Sequence, residues 1–133
     1  MSVQQMADDF LQEVNQYRNV VIKPSEKTAK RINVYVSPEK RKRWMQVDVN
    51  PTYLAVAMDN LEGDLSLTDV SATGISQDRS SKKTSFKVTP STESFGAVHF
   101  SFFEADPYDF TKQEFKEFLD KHHQSFLKRV KIT

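Results

Sequence analysis

The sequence predicts an α+β domain in which an antiparallel sheet lies between two terminal helices. Two periodicities and their order carry that expectation. Apolar residues recur at steps of three and four near both ends of the chain. Between them, several short segments alternate apolar and polar with a period of two. An amphipathic helix and a strand with one wet face are the structures that those periods describe. Helix, strands, helix, with no regular βαβ alternation, is the order of an α+β fold. We expect about five to seven strands, in one domain over residues 1–133.

The first helix is predicted over residues 2–18. Val3, Met6, Ala7, Phe10, Leu11, Val14 and Tyr17 form one stripe, and Asp8, Asp9, Gln12 and Glu13 fall opposite it. Ser2 and Gln5 have the spacing of a capping box. The sheet is expected to pack on the C-terminal helix, with this first helix on an edge, on the other face or against a second subunit. Lys23-Pro24-Ser25-Glu26-Lys27 reads as a break. The sheet is predicted within residues 31–104. Its strands are Arg31–Val36, Trp44–Val49, Tyr53–Met58, a short piece at Leu65 and Leu67, Thr84–Thr89 and Phe95–Phe103. Residues 71–83 read as a loop. Asp106-Pro107 ends the pattern, and a final helix is expected over 111–129. Thr111 and Glu114 have the spacing of its capping box. Phe115, Phe118, Leu119, His122, Phe126 and Leu127 form its stripe.

Composition narrows the function classes. The chain has no Cys, so it has neither disulfides nor thiolate metal sites. No apolar run approaches the roughly 18 residues that a membrane span requires. The N-terminus lacks the basic-then-apolar pattern of a signal peptide. These features predict a soluble, cytoplasmic protein. Three glycines leave little material for phosphate-cradling loops, and no G-x-S-x-G, P-loop or G-x-G-x-x-G occurs. His122 and His123 are adjacent, so on a helix they diverge by about 100° instead of sharing a face as zinc ligands do. Asp59 to Asp64 fails the calcium-loop pattern, because Leu61 holds the third position and Asp64 the sixth. We therefore expect no catalytic residue, no metal and no cofactor, and a binding module rather than an enzyme.

Net charge is only +1, but the charges segregate. Lys23 to Arg43 contains eight basic residues against Glu26 and Glu39. Within it, Lys40, Arg41, Lys42 and Arg43 run directly into Trp44. If residues 37–43 connect two strands, these cations project from one end of the sheet. They then either keep a hairpin tip soluble or contact phosphates. Strict alternation places Trp44, Gln46 and Asp48 on the polar face, with Tyr35 and Tyr53 on the flanking strands. Aromatic rings on a sheet edged by cations suit single-stranded nucleic acid, whose bases stack while its phosphates are neutralised. The expected site is Lys40, Arg41, Lys42, Arg43 and Trp44, assisted by Tyr35, Tyr53, Lys82 and Lys83. If the N-terminal helix covers that face, Trp44 belongs instead to the core.

The segments "INVYVSPEKRKRWMQVDV" and "FTKQEFKEFLDKHHQSFL" resemble the PUR and Whirly families of single-stranded nucleic-acid binders. PUR repeats carry an Arg-rich segment ending in an aromatic between two strands, which Lys40 to Trp44 resembles. The resemblance covers about a third of the chain. It departs from the families in lacking a glycine in the basic turn, in lacking a duplicated module and in having a helix before the sheet. What it implies is single-stranded nucleic-acid binding. The alternative is a small protein-interaction factor, an inhibitor or adaptor of phage or bacterial type, using the acidic stretch Asp59–Asp69 or a helix face.

Overall fold

A computed structural model describes residues 1–36, 42–78 and 82–131. Lys40 and Arg41 lie outside these ranges, as does most of the predicted turn that holds them. The chain folds into two layers. Helix α1 (Val3–Val14) leads into strands β1 (Val20–Pro24), β2 (Arg31–Val36), β3 (Lys42–Val49) and β4 (Tyr53–Asp59). A single helical turn, α2 (Leu67–Ser71), and the two-residue strand β5 (Ser76–Gln77) follow. Strands β6 (Ser85–Thr89) and β7 (Ala97–Phe103) come next, and helix α3 (Gln113–Arg129) closes the chain. Among the described residues, seven strands form one sheet in the order β1-β2-β3-β4-β7-β6-β5. All pairings are antiparallel except β5 with β6. The expected α+β architecture is therefore the architecture of the chain.

The core lies between one face of this sheet and the helices. Val34, Met45, Met58, Val98 and Val88 are successive cross-strand partners, and all are buried. Leu54 pairs with Phe102, and Val56 with Phe100, beside them. From α3, Phe115 and Phe118 approach Phe100 with ring centroids at 6.5 and 5.6 Å. From α1, Phe10 meets Phe102 at 6.2 Å and Phe115 at 6.2 Å. Both helices thus occupy the same side of the sheet, which corrects the expectation of α1 on an edge, on the other face or against a second subunit: Phe10 packs into the same aromatic core as Phe115.

Several local expectations need correction. Helix α1 ends at Val14, not near Arg18, although Ser2 does cap it by accepting from the Gln5 N–H at 3.0 Å. The Gln5 side chain bonds Asp9 instead of completing the box. Three consecutive apolar residues, Val20-Val21-Ile22, show no period, yet they pair with β2 as an edge strand. The piece around Leu65 and Leu67 forms α2, not a strand. Ser66 accepts from the Asp69 N–H while Asp69 accepts from the Ser66 N–H, a reciprocal cap. Residues Ser76 and Gln77, in the predicted loop, form β5. At α3 the Thr111/Glu114 box does not form. The Thr111 N–H and hydroxyl both turn back to Asp109, and Lys112 is the cap residue without a side-chain bond.

The largest correction concerns Trp44. Between β2 and β3, Val34 pairs with Met45, but Tyr35 pairs with Arg43. One residue of β3, Trp44, is left over as a β-bulge. A bulge interrupts the alternation of faces, so Trp44 and Met45 are both buried, on the helix side. Arg43 remains on the opposite face with Tyr35.

Candidate functional site

The face of the sheet away from the helices is uncovered, and the register assigns its residues. One row across the strands reads Lys23, Asn33, Gln46, Ala57, His99 and Lys87. The neighbouring row reads Arg31, Asp48, Ala55, Ser101 and Ser85. At one end of the face, Tyr35 lies beside Arg43. At the other end, Tyr53 pairs with Phe103, their rings stacked at 5.0 Å between centroids and 22° between planes. The aromatic side chains here are half-buried, and Arg43, Lys23 and Lys87 are exposed.

Charge on this face is uneven. Lys23, Arg31, Arg43 and Lys87 lie on it against Asp48 and Asp59. Asp48 is already committed: Arg31 donates to its two oxygens from Nε at 2.9 Å and from Nη2 at 3.2 Å. On the helix side, α1 carries Asp8, Asp9 and Glu13 and no Lys or Arg. His99, 3.1 Å from the Thr89 hydroxyl, is held below the ordinary histidine range by burial and by Lys87. It is therefore neutral at physiological pH.

The expected site residues are only partly brought together. Lys42 and Arg43 are exposed at the start of β3. Lys82 and Lys83 are exposed beside Thr84, whose hydroxyl accepts from the Phe103 N–H, so they flank the Tyr53–Phe103 end. Tyr35 and Tyr53 share the open face but stand three rows apart, about 20 Å along the strands. Trp44 is on neither end, and no base can reach it. Phe103 was not expected as a site residue. Its signal was available, because it continues the odd-numbered set Ala97, His99 and Ser101 along one strand.

Trp44 instead organises a buried aromatic cluster. Its indole N–H donates to His122 Nδ1 at 2.9 Å. The rings of His123, Tyr17 and Phe126 surround it at 4.9, 5.7 and 6.3 Å. Accepting the indole proton requires an unprotonated Nδ1, which places the His122 proton on Nε2. Burial, with a smaller contribution from His123, pushes the His122 pKa down to about 3. Tyr17 donates to Asp120, and burial together with that carboxylate raises its hydroxyl well above the usual tyrosine value. This cluster pins α1 and α3 to the bulge in β3. Both histidines are enclosed, and only the Tyr17–Asp120 edge of the cluster reaches the surface, in a cavity that Glu13, Gln16, Gln113 and Lys116 also line.

Among the described residues no group of three or more His, Asp or Glu side chains is placed to hold a metal ion, and no helix is long and apolar enough to cross a membrane. Comparison with protein-family models, curated proteins and solved structures returned no match to this chain.

Proposed function

We propose that the protein binds single-stranded nucleic acid on the open face of its sheet, without catalysing a reaction on it. The observation that carries this reading is the pairing of stacked aromatics, Tyr53 with Phe103, with a surplus of cations on the same uncovered face. Bases stack on aromatic rings regardless of sequence, and Lys and Arg neutralise the phosphates that a strand carries across a sheet. Lys82 and Lys83 extend that cationic surface at the Tyr53–Phe103 end, whereas Lys42, the cross-strand partner of the buried Val36, falls on the helix side of the sheet. Trp44 has no part in it.

Two observations weigh against the protein-interaction alternative. Among the described residues, only Met1 and Leu61 are exposed large hydrophobics, so the surface has few apolar anchors of the kind that dominate protein interfaces. The acidic segment after β4 is also engaged within the chain. Lys128 reaches Asp64 at 3.0 Å, and Lys121 reaches Asp69 at 3.0 Å.

The reading is tested by fluorescence anisotropy of a labelled single strand of about 20 nucleotides. Replacing Lys23, Arg43 and Lys87 together with Gln is expected to weaken binding at least tenfold at low salt. It should also flatten the dependence of affinity on salt, because each lost phosphate contact lowers that slope by roughly one. Those side chains are exposed, so the melting temperature should not change appreciably. Unaltered affinity and salt slope in the triple variant would remove this face from consideration.

A further inference from the structure

We propose that Asn33 and Gln46 read base edges, giving the protein a preference for strands that contain adenine or cytosine over strands of thymine alone. The inference rests on the nucleic-acid reading above and adds selectivity to it. Asn33 is a poor strand residue, yet it sits inside β2, paired with Lys23 on one side and Gln46 on the other. Its Oδ1 is buried and has no hydrogen-bond partner. A buried acceptor without a partner lowers stability, and such groups in native proteins call for a reason. Among the described residues, no other polar side chain of this face is left in that position. Arg31 is bound to Asp48, and His99 has Thr89 within hydrogen-bonding distance.

The surroundings suit a base. Asn33 and Gln46 are direct cross-strand partners, so their Cβ atoms stand about 5 Å apart and both amides belong to the uncovered face. The next residue in the row, Ala57, and its neighbour Ala55 are small and leave room beside Gln46. Lys23 and Lys87 end the row, five strand spacings or about 24 Å apart. A strand laid along the row would meet a cation at each edge and the amide pair between them. Rotation about χ2, a soft torsion in asparagine, carries Oδ1 to the surface. There it accepts from the exocyclic amine of a base while the amide N–H donates to the adjacent ring nitrogen. Adenine and cytosine present an amine beside a ring-nitrogen acceptor on an exposed edge. Thymine has no amine. Asparagine and glutamine make this two-bond contact with adenine in duplex readout, where a good pair discriminates by about 1–3 kcal/mol, or roughly 5- to 150-fold.

The test compares two labelled strands of about 12 nucleotides. One is all thymine, and the other carries central adenines, or cytosines, in the same background. The wild-type protein is expected to favour the second by at least fivefold. Asn33→Val and Gln46→Ala should each reduce that ratio towards one. Asn33→Val should also melt no lower than the wild type, because it removes an unsatisfied acceptor and places a good strand former in β2. Equal affinity of the wild type for both strands would overturn the inference, as would a ratio preserved in Asn33→Val. A lowered melting temperature in Asn33→Val would overturn it too, by making the residue structural. In each case the proposed function would still stand. Failure of every strand to bind would remove both.

Discussion

Replacing Trp44 with alanine is expected to destabilise the protein by about 3–5 kcal/mol, the usual cost of removing a large buried aromatic. The indole is fully enclosed, and its ring separates Tyr17 on the α1 side from His122, His123 and Phe126 on α3. Its removal leaves a cavity where both helices meet the bulge, and it takes away the partner of His122 Nδ1. Urea denaturation followed by circular dichroism would measure the loss. Tyr53→Ala is the control, since Tyr53 is half-buried on the opposite face and should cost much less. Near wild-type stability in Trp44→Ala would mean that the indole lies at the surface and that the bulge is misplaced.

The second large effect is a dependence of stability on pH. His122 is held neutral in the fold, with a pKa near 3 against an ordinary value of 6.5. Burial lowers His123 as well. A base whose folded pKa is depressed binds fewer protons in the native state than in the unfolded chain. Its contribution to stability is therefore complete above pH 6.5 and is lost as pH falls from there towards 3. Well below pH 6.5, the loss approaches about 1.4 kcal/mol per pH unit for His122 alone. Protonation at Nδ1 would also set an N–H against the indole N–H that now donates to it. His122→Asn, which keeps an acceptor for the indole but cannot titrate, is expected to remove most of the slope between pH 6.5 and 5. Carboxylates such as Asp69 and Asp109, whose pKa values lie below 3.8, contribute only below that window. A wild-type protein equally stable at pH 7 and pH 5 would show that the histidines are already accessible to protons.

These two effects mark where local sequence pattern stopped being informative. Strands β2, β4, β6 and β7 were legible because their apolar residues alternate and one of their faces is wet. The stripe of α3 was legible for the analogous helical reason. Trp44 was not, because a bulge changes the face of a residue without leaving a mark in the alternation on either side of it. The open-face reading of Gln46 and Asp48 was sound, and extending it one residue back across the bulge was not. His122 was recognised as part of a stripe, but its acceptor role depends on a residue 78 positions away. Edge strand β1 escaped because Val20, Val21 and Ile22 are apolar on both faces, so that only pairing with β2 reveals them. Tyr35 and Tyr53 were correctly assigned to one face. Their separation along it follows from the register, which the spacing of residues does not contain.

The uncovered face of the sheet is the proposed binding surface. The most direct test of that assignment is the backbone amide spectrum of the labelled protein, recorded as a short unlabelled single strand is added. Shifts are expected at Asn33, Tyr35, Arg43, Gln46, Tyr53, His99 and Phe103, with α1 and the Trp44 indole resonance unmoved. Shifts concentrated on α1 and α3, with β2, β3, β4 and β7 silent, would contradict the assignment and place the interaction on the helical layer.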